Sequence, residues 1–329
     1  MAVIAESIDA PQKTPRIGIL DTARGIALLA MASYHCTWDF EFFGYLEPGT
    51  AETGWLKFYA RAIASTFLFL AGVSLVLANT PEIRWQSYFK RLGMIVVAAV
   101  AISIVTFIGM RDEWIFFGIL HSIAAASIIG LLFLRLPAFA TLLIAGLLLA
   151  GIVVDNVIAP FSLHSSFFDV PWLYWVGLSE SLPRSNDYVP VFPWLTPFLF
   201  GLGIAQLAIS LGWLQSLAKL GPGRNLIARA GRHSLIFYLV HQPLLFGLVY
   251  LLSLVAPAPA PDPTVGYIRQ CEVSCTQSGS EAMCRSFCKC TLDQLQAQNL
   301  FAPLNSGAIK ADSDERISRI ALQCTEQAQ

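Results

Sequence analysis

Residues 21–39 read DTARGIALLAMASYHCTWD, an apolar run that carries Asp21 and Arg24 near its start and His35 and Asp39 near its end. The solvent around this run decides the fold. The 329-residue chain is 55% hydrophobic and 13% charged, with a mean hydropathy of +0.60, whereas a soluble domain carries roughly 25% charged residues. Such a composition marks an integral membrane protein, and the run reads as a helix that crosses the bilayer. At about 100° per residue the four ionisable groups fall within about one third of the helix circumference, with Asp21 and Arg24 three residues apart and His35 and Asp39 four apart. A charge facing lipid at mid-depth costs about 2.5 kcal/mol or more. The stripe must therefore face the bundle interior or a wet cavity.

Outward from this helix, about seven stretches hold enough apolar residues to span: 18–42, 56–79, 92–110, 115–134, 138–155, 190–210 and 234–256. The expected fold class is all-α, a polytopic transmembrane helix bundle of about seven spans with a small Cys-rich helical C-terminal tail. Short cytoplasmic loops are enriched in Lys and Arg. With the N-terminus inside, the inner segments hold Lys13, Arg16, Arg84, Lys90, Arg91, Arg135, Lys219, Arg224, Arg229 and Arg232, while the short outer loops hold chiefly Arg111 and Arg184, with Lys57 and Arg61 at an outer helix end. Asp21 and Arg24 then lie toward the cytoplasm, His35 and Asp39 toward the outer face, and an odd number of spans leaves the tail outside. Residues 1–16 are polar and lack the apolar core of a cleavable signal, so the first span is expected to stay in place. The net charge of -1 gives no basic footprint for nucleic acid.

Six of the seven cysteines lie between Cys271 and Cys324, beyond a Pro-rich spacer. Disulfides persist in oxidising compartments, which agrees with an extracytoplasmic tail. Cys271 and Cys275 are one helical turn apart, as are Cys284 and Cys288. Two antiparallel helices would let Cys275 bridge Cys284 and Cys271 bridge Cys288, leaving Cys290 for Cys324, although six cysteines allow 15 pairings. Thiolate metal binding is the competing reading; a small domain without a large core more commonly uses disulfides as staples, and no metal is expected. The expected domains are a cytoplasmic segment 1–16, a transmembrane domain 17–256, a linker 257–266 and a disulfide-rich tail 267–329.

Within the membrane domain, Arg24 with Asp21, Arg84 and Arg91 is the candidate grip for an anionic ligand at the inner mouth, through charge-assisted hydrogen bonds; an intrahelical ion pair that neutralises both groups on insertion is the alternative for Asp21 and Arg24. His35 with Asp39 one turn away is what general-base or nucleophilic catalysis requires, because the acid orients the ring and stabilises the imidazolium. A buried imidazole bonded to a backbone carbonyl or to Asp39 is the alternative. His121, in the outer half of the fourth span, is a candidate to converge on the same cavity as an oxyanion donor. Asp187, before the sixth span, and Trp38, which suits the interfacial belt, are candidate acceptor contacts. His241 is placed in the inner half of the last span. Gly72, Ser65, Thr66 and Ser74 suit close helix approach or bonding across an interface.

The ordered set LDTARGIALLAMASYHCTWDF, STFLFLAGVSLVLA, GILHSIAAAS, VPVFPWLTPFLFGLG and GRHSLIFYLVHQP resembles the bacterial members of the heparan-alpha-glucosaminide N-acetyltransferase catalytic-domain family over roughly residues 16–250. The resemblance implies a multi-pass transferase of the bacterial inner membrane that takes acetyl from cytoplasmic acetyl-CoA, as co-substrate, and delivers it to an amine or hydroxyl of an extracytoplasmic sugar or glycan. It also implies a membrane-embedded reactive His, best matched by His35. In the lysosomal enzyme that His stands further into the loop after the first span, and the spans are more numerous. Two other classes remain open on the sequence: a proton- or ion-coupled carrier, since intramembrane Asp, Arg and His also mark ion pathways, and a scaffold that displays the Cys-rich tail. No internal repeat of the kind common in carriers is evident.

Overall fold

A computed structural model describes residues 17–181, 183–219, 225–259, 262–275, 280–311 and 314–328; Lys13, Arg16 and Arg224, named above as inner-side cations, lie outside these. The elements are helices: α1 Gly18–Phe42, α2 Gly54–Ala78, α3 Trp85–Gly109, α4 Ile119–Phe133, α5 Ala138–Val153, α6 Val191–Ser210, the short α7 Leu214–Lys219 and α8 Leu226–Arg232, and α9 Ser234–Val255. Beyond them come α10 Pro263–Cys275, α11 Glu281–Ala297, α12 Phe301–Asn305 and α13 Glu315–Ala328. Among the described residues the sole β feature is an isolated bridge between Phe117 and Tyr188. The all-α class is as expected, and each of the seven expected spans coincides with a helix. Five, namely α2, α3, α5 with its following turn, α6 and α9, are long and apolar enough to cross a bilayer. The α1 helix has the length, at 25 residues, but carries the charged stripe, and α4 has only 15 residues.

The chain forms two compact units, one of residues 1–39 and 49–251 and the other of residues 40–48 and 252–329. In the first unit α2 and α6 are the central pair: half of the apolar window of α2 and 44% of that of α6 are buried, against 11% for α3 and α9, which present their apolar surface outward. The two meet through reciprocal glycines. A Cβ on Gly72 would strike the carbonyl oxygen of Phe198, and one on Gly201 would strike that of Phe69, so the backbones touch where side chains would hold them apart. Phe198, Leu199, Leu202 and Leu68 pack around this crossing with no exposed surface.

The fourth span is shorter than its apolar sequence. Residues 115–118, expected inside the helix, stay irregular because α3 and the loop before α6 satisfy their polar groups. Ser103 Oγ donates to the Ile115 carbonyl at 2.7 Å, Ile115 N–H donates to Thr106 Oγ1 at 3.0 Å, and Ile119 N–H donates to Asp187 Oδ2 at 2.9 Å. At the far end Gln206 of α6 donates to the carbonyls of Phe133 and Leu136. Irregular backbone at membrane depth survives only when protein or water meets its hydrogen bonds, and here side chains of three other segments do so.

The α8 helix lies on α1 through a second glycine notch: a Cβ on Gly25 would strike the Ile227 carbonyl oxygen, and one on Gly231 that of Asp21. Further along, His35 meets His241 and Asp39 meets Gln242. Contacts that advance together along both helices make α1 and α9 parallel.

In the second unit α1 ends on Gly44, at φ +80°, with Tyr45 N–H bonded to the Phe40 carbonyl and Gly44 N–H to that of Glu41, the six-to-one and five-to-two pattern that a left-handed glycine closes. The tail helices are short and capped: Asp262 accepts from Thr264 before α10, Ser280 from Met283 before α11, and Asp314 from Arg316 before α13. Their core is small, built on Leu295, Leu300, Ile317 and Ile320. Three disulfides staple it, Cys271–Cys288, Cys275–Cys284 and Cys290–Cys324, the pairs that the helical spacing suggests, while Cys36 is free.

Candidate functional site

The Asp21–Arg24 end of the stripe opens on a cavity of about 380 Å³. Its wall takes Arg24 from α1, Phe67, Leu70 and Ala71 from α2, Arg91, Met94 and Ile95 from α3, Ile119, Leu120 and Ile123 from α4, and Gly231, Arg232, Ser234, Leu235 and Tyr238 from α8 and α9. Arg24 is held from two sides: Nη1 donates to Asp21 Oδ1 at 3.1 Å and Nη2 donates to Ser74 Oγ. Ser74, singled out above for bonding across an interface, thus ties α2 to α1. Arg91 stands near enough to Arg24 for the two cations to repel, and among the described residues neither Arg91 nor Arg232 has an ion-pair partner. Arg91 and Arg232, without an ion-pair partner among the described residues, leave the wall positive, which suits an anion. Arg84 lies in an adjoining cavity of about 130 Å³ that shares Arg91, Ala71 and Ile95 with the first, and its Nε donates to the Ala78 carbonyl at 3.0 Å.

The His35 end of the stripe is a separate polar cluster. The rings of His35 and His241 meet edge to face with centroids 5.1 Å apart. Asp39 has no exposed surface and accepts from Gln242 Nε2 at 2.7 Å, so the hydrogen bond expected between Asp39 and His35 is replaced by one to α9. His241, expected in the inner half of the last span, sits at the level of His35. The α8 helix runs antiparallel to α1, with Ile227 on Gly25 and Gly231 on Asp21, and α9 then packs on α1 at Leu28 and Met31 through Phe237 and Tyr238, which brings His241 to His35.

Between the two ends the same face of α1 is apolar. Leu28 and Met31 follow Arg24 at helical spacing and pack with Ile63, Phe67, Phe237 and Tyr238. From Arg24 to His35 is 11 residues, about 16 Å of helix at ~1.5 Å per residue.

The other sequence candidates are placed elsewhere. His121 Nδ1 accepts from Gly118 N–H at 3.2 Å, and Nε2 lies 3.2 Å from Ser103 Oγ. Both ring nitrogens are thus engaged in starting α4 and tying it to α3, and His121 is not among the residues that line the cavity or touch His35. Asp187 caps α4 through Ile119 N–H and lies near enough to the Tyr238 phenol to interact with it electrostatically. Desolvation pushes its carboxyl up to about 6, against the opposing pull of that N–H. Trp38 is partly buried on α1.

Sequence reasoning passed over Arg232 and Tyr238 as cavity residues and the pairing of His241 and Gln242 with the stripe. The signal is present in SLIFYLVHQP, where Leu235, Tyr238, His241 and Gln242 recur at intervals of three and four and so share one face of α9, just as the first stripe does. Among the described residues no group of His, Cys, Asp and Glu is arranged to hold a metal ion.

A family model described as heparan-alpha-glucosaminide N-acetyltransferase, catalytic, matches residues 16–243, a span that includes the stripe, both cavities and the His35–His241 pair. No curated protein and no solved structure matches the chain.

Proposed function

The chain belongs to the heparan-alpha-glucosaminide N-acetyltransferase catalytic-domain family, a family of membrane acetyltransferases, and on that premise we propose that it transfers an acetyl group from cytoplasmic acetyl-CoA to an amine or hydroxyl of an extracytoplasmic sugar or glycan. One observation carries this reading: Arg24 in the wall of a positive cavity and His35, half-buried against the buried His241, lie on a single face of α1, about 16 Å apart, with apolar side chains between them. The phosphates of CoA, too strongly hydrated to cross the bilayer, are met by Arg24, Arg91 and Arg232, with Arg84 at the edge. The acyl-pantetheine arm, long and less polar, follows Leu28 and Met31 toward His35.

At His35 the imidazole either takes the acetyl group itself or acts on the acceptor while the group passes directly. Asp39, one turn away and anchored by Gln242, stabilises positive charge that develops on the ring. His121 serves as a positioning residue for α4, and Asp187 as the joint between that helix and the loop before α6; an acceptor arriving from the outer side would pass this loop and Trp38. The sidedness follows the distribution of Lys and Arg, with the N-terminus in the cytoplasm and the disulfide-bonded unit outside a bacterial inner membrane.

Titration calorimetry of the purified full chain with acetyl-CoA tests the donor half of this proposal. Saturable binding that weakens as salt rises is expected, because phosphate contacts to exposed guanidinium groups are screened. Absence of binding would remove the transferase reading and favour an ion-coupled carrier.

A further inference from the structure

The cluster around His35 leaves three buried polar atoms without a hydrogen-bond partner among the described residues: Asp39 Oδ2, His241 Nε2 and Gln242 Oε1. All three are acceptors. For Asp39 and Gln242 this follows from their chemistry, since Gln242 turns its NH₂ to Asp39 Oδ1 at 2.7 Å and so presents its carbonyl oxygen elsewhere. For His241 it follows from the backbone. Nδ1 lies 2.7 Å from the Tyr238 carbonyl oxygen, and because a carbonyl can only accept, Nδ1 must carry the proton and Nε2 must hold a lone pair. His241 is 7% exposed and Asp39 not exposed at all, so bulk water does not satisfy them. Leaving one such group unpaired costs about 1–3 kcal/mol, and three on two facing helices amount to a site built for a molecule that brings donors.

We propose that this cluster receives the nucleophilic N–H or O–H of the acyl acceptor, and that His241 Nε2 is the base that takes its proton, with Asp39 and Gln242 holding the remaining donors of the same group. The proposal rests on the transferase reading above. The step balances without any further reagent: the acceptor's N–H or O–H bond breaks and its proton moves to His241, the bond from that nitrogen or oxygen to the acetyl carbon forms, the thioester C–S bond breaks, and His241 passes the proton to the CoA sulfur. Free thiol leaves and the ring is neutral again. If the acetyl group rests on His35 on the way, the proton inventory is unchanged. The two histidines then have different duties. His35, on the face that carries the acyl arm, meets the acetyl group, and His241, oriented by the Tyr238 carbonyl, meets the acceptor. The preferred acceptor is a donor-rich group such as a primary amine or a sugar hydroxyl, and a tertiary amine or an ether is excluded because it brings no donor to three waiting acceptors.

The test uses the purified full-length protein in detergent with acetyl-CoA and glucosamine, following free thiol release and the acetylated product by mass spectrometry, with water as the second acceptor. His241→Gln keeps an amide that can bond the Tyr238 carbonyl but has no basic nitrogen. It is expected to bind CoA within about twofold of wild type and to turn over at least about 100-fold more slowly at saturating acetyl-CoA, the scale of general-base catalysis. In His241→Ala, added imidazole is expected to restore part of the rate; where that variant fails to fold, His241→Gln decides alone. Turnover by a folded His241→Gln within a few-fold of wild type overturns the assignment of the base while leaving the transferase reading intact. Wild type that binds CoA yet releases no thiol with glucosamine or water overturns the reading itself, and this proposal with it.

Discussion

Arg91 and Arg232 face the main cavity without an ion-pair partner among the described residues, whereas Arg24 is already engaged by Asp21 and Ser74. Removing either of the first two is expected to weaken CoA binding by about 10- to 100-fold, since a hydrogen bond to a charged group contributes about 1.5–3 kcal/mol. Calorimetry on Arg91→Ala and Arg232→Ala checks this, and wild-type affinity in both would place the phosphates elsewhere. Asp187 gives a second expectation. Its folded carboxyl titrates at about 6, above an unfolded value of about 3.9, so the folded state holds the proton more tightly. Stability from this group is then full below about pH 4 and declines as pH rises through 6. Asp187→Asn keeps an oxygen for Ile119 N–H and removes the charge, so its thermal midpoint should lose that decline; Asp187→Ala leaves the N–H unpaired and should be destabilised by about 1–3 kcal/mol. An unchanged pH slope in Asp187→Asn would show that another group titrates. The pairing of Asp21 with Arg24 was legible because both lie three residues apart on one helix. The partner of His35 was not, since it depends on how α9 packs against α1, which one helix's sequence does not tell.

The crossing of α2 and α6 depends on backbone contact at Gly72 and Gly201, where a Cβ would meet main-chain oxygen of the other helix. Main chain cannot swing aside as a flexible side chain can, so Gly201→Leu is expected to lower stability by about 1–3 kcal/mol or more. Gly146 and Gly247 have nothing within 4 Å of a would-be Cβ, and alanine there should be neutral or stabilise the helix by up to about 1 kcal/mol. Thermal unfolding in detergent ranks the variants, and equal behaviour at all of these positions would contradict the close crossing. Helix existence was readable from apolar length alone: each of the seven expected stretches holds a helix, although only five of these are long and apolar enough to cross a bilayer. The start of α4 was not. Ile115 to Gly118 are apolar enough to continue a helix, and they stay irregular because Ser103, Thr106 and Asp187, from distant segments, take up the backbone groups. Gly72 was picked out from sequence as a contact point, but its partner Gly201 was not, because nothing in the sequence of one helix says which neighbour it meets.

At the scale of the whole molecule, the disulfide-bonded unit and the membrane unit make distinct demands. The small core of α10–α13 needs its three bridges, each worth about 2–4 kcal/mol, and they form only where thiols are oxidised. Under denaturing conditions, alkylation before reduction is expected to mark Cys36 alone, and after reduction all seven cysteines; intact-protein mass spectrometry counts the adducts, and seven before reduction would refute the bridges. Within the membrane unit α1 and α9 run parallel, with His35 on His241 and Asp39 on Gln242. That arrangement suits a transferase whose donor and acceptor meet across the bilayer. The most direct test of this account is a density map of the full-length protein in a lipid nanodisc saturated with acetyl-CoA. The account predicts phosphate density against Arg24, Arg91 and Arg232, an arm running past Leu28 and Met31, and the thioester carbon beside His35 and His241. Density for CoA at any other surface, or an arm that leads away from His35, would contradict it.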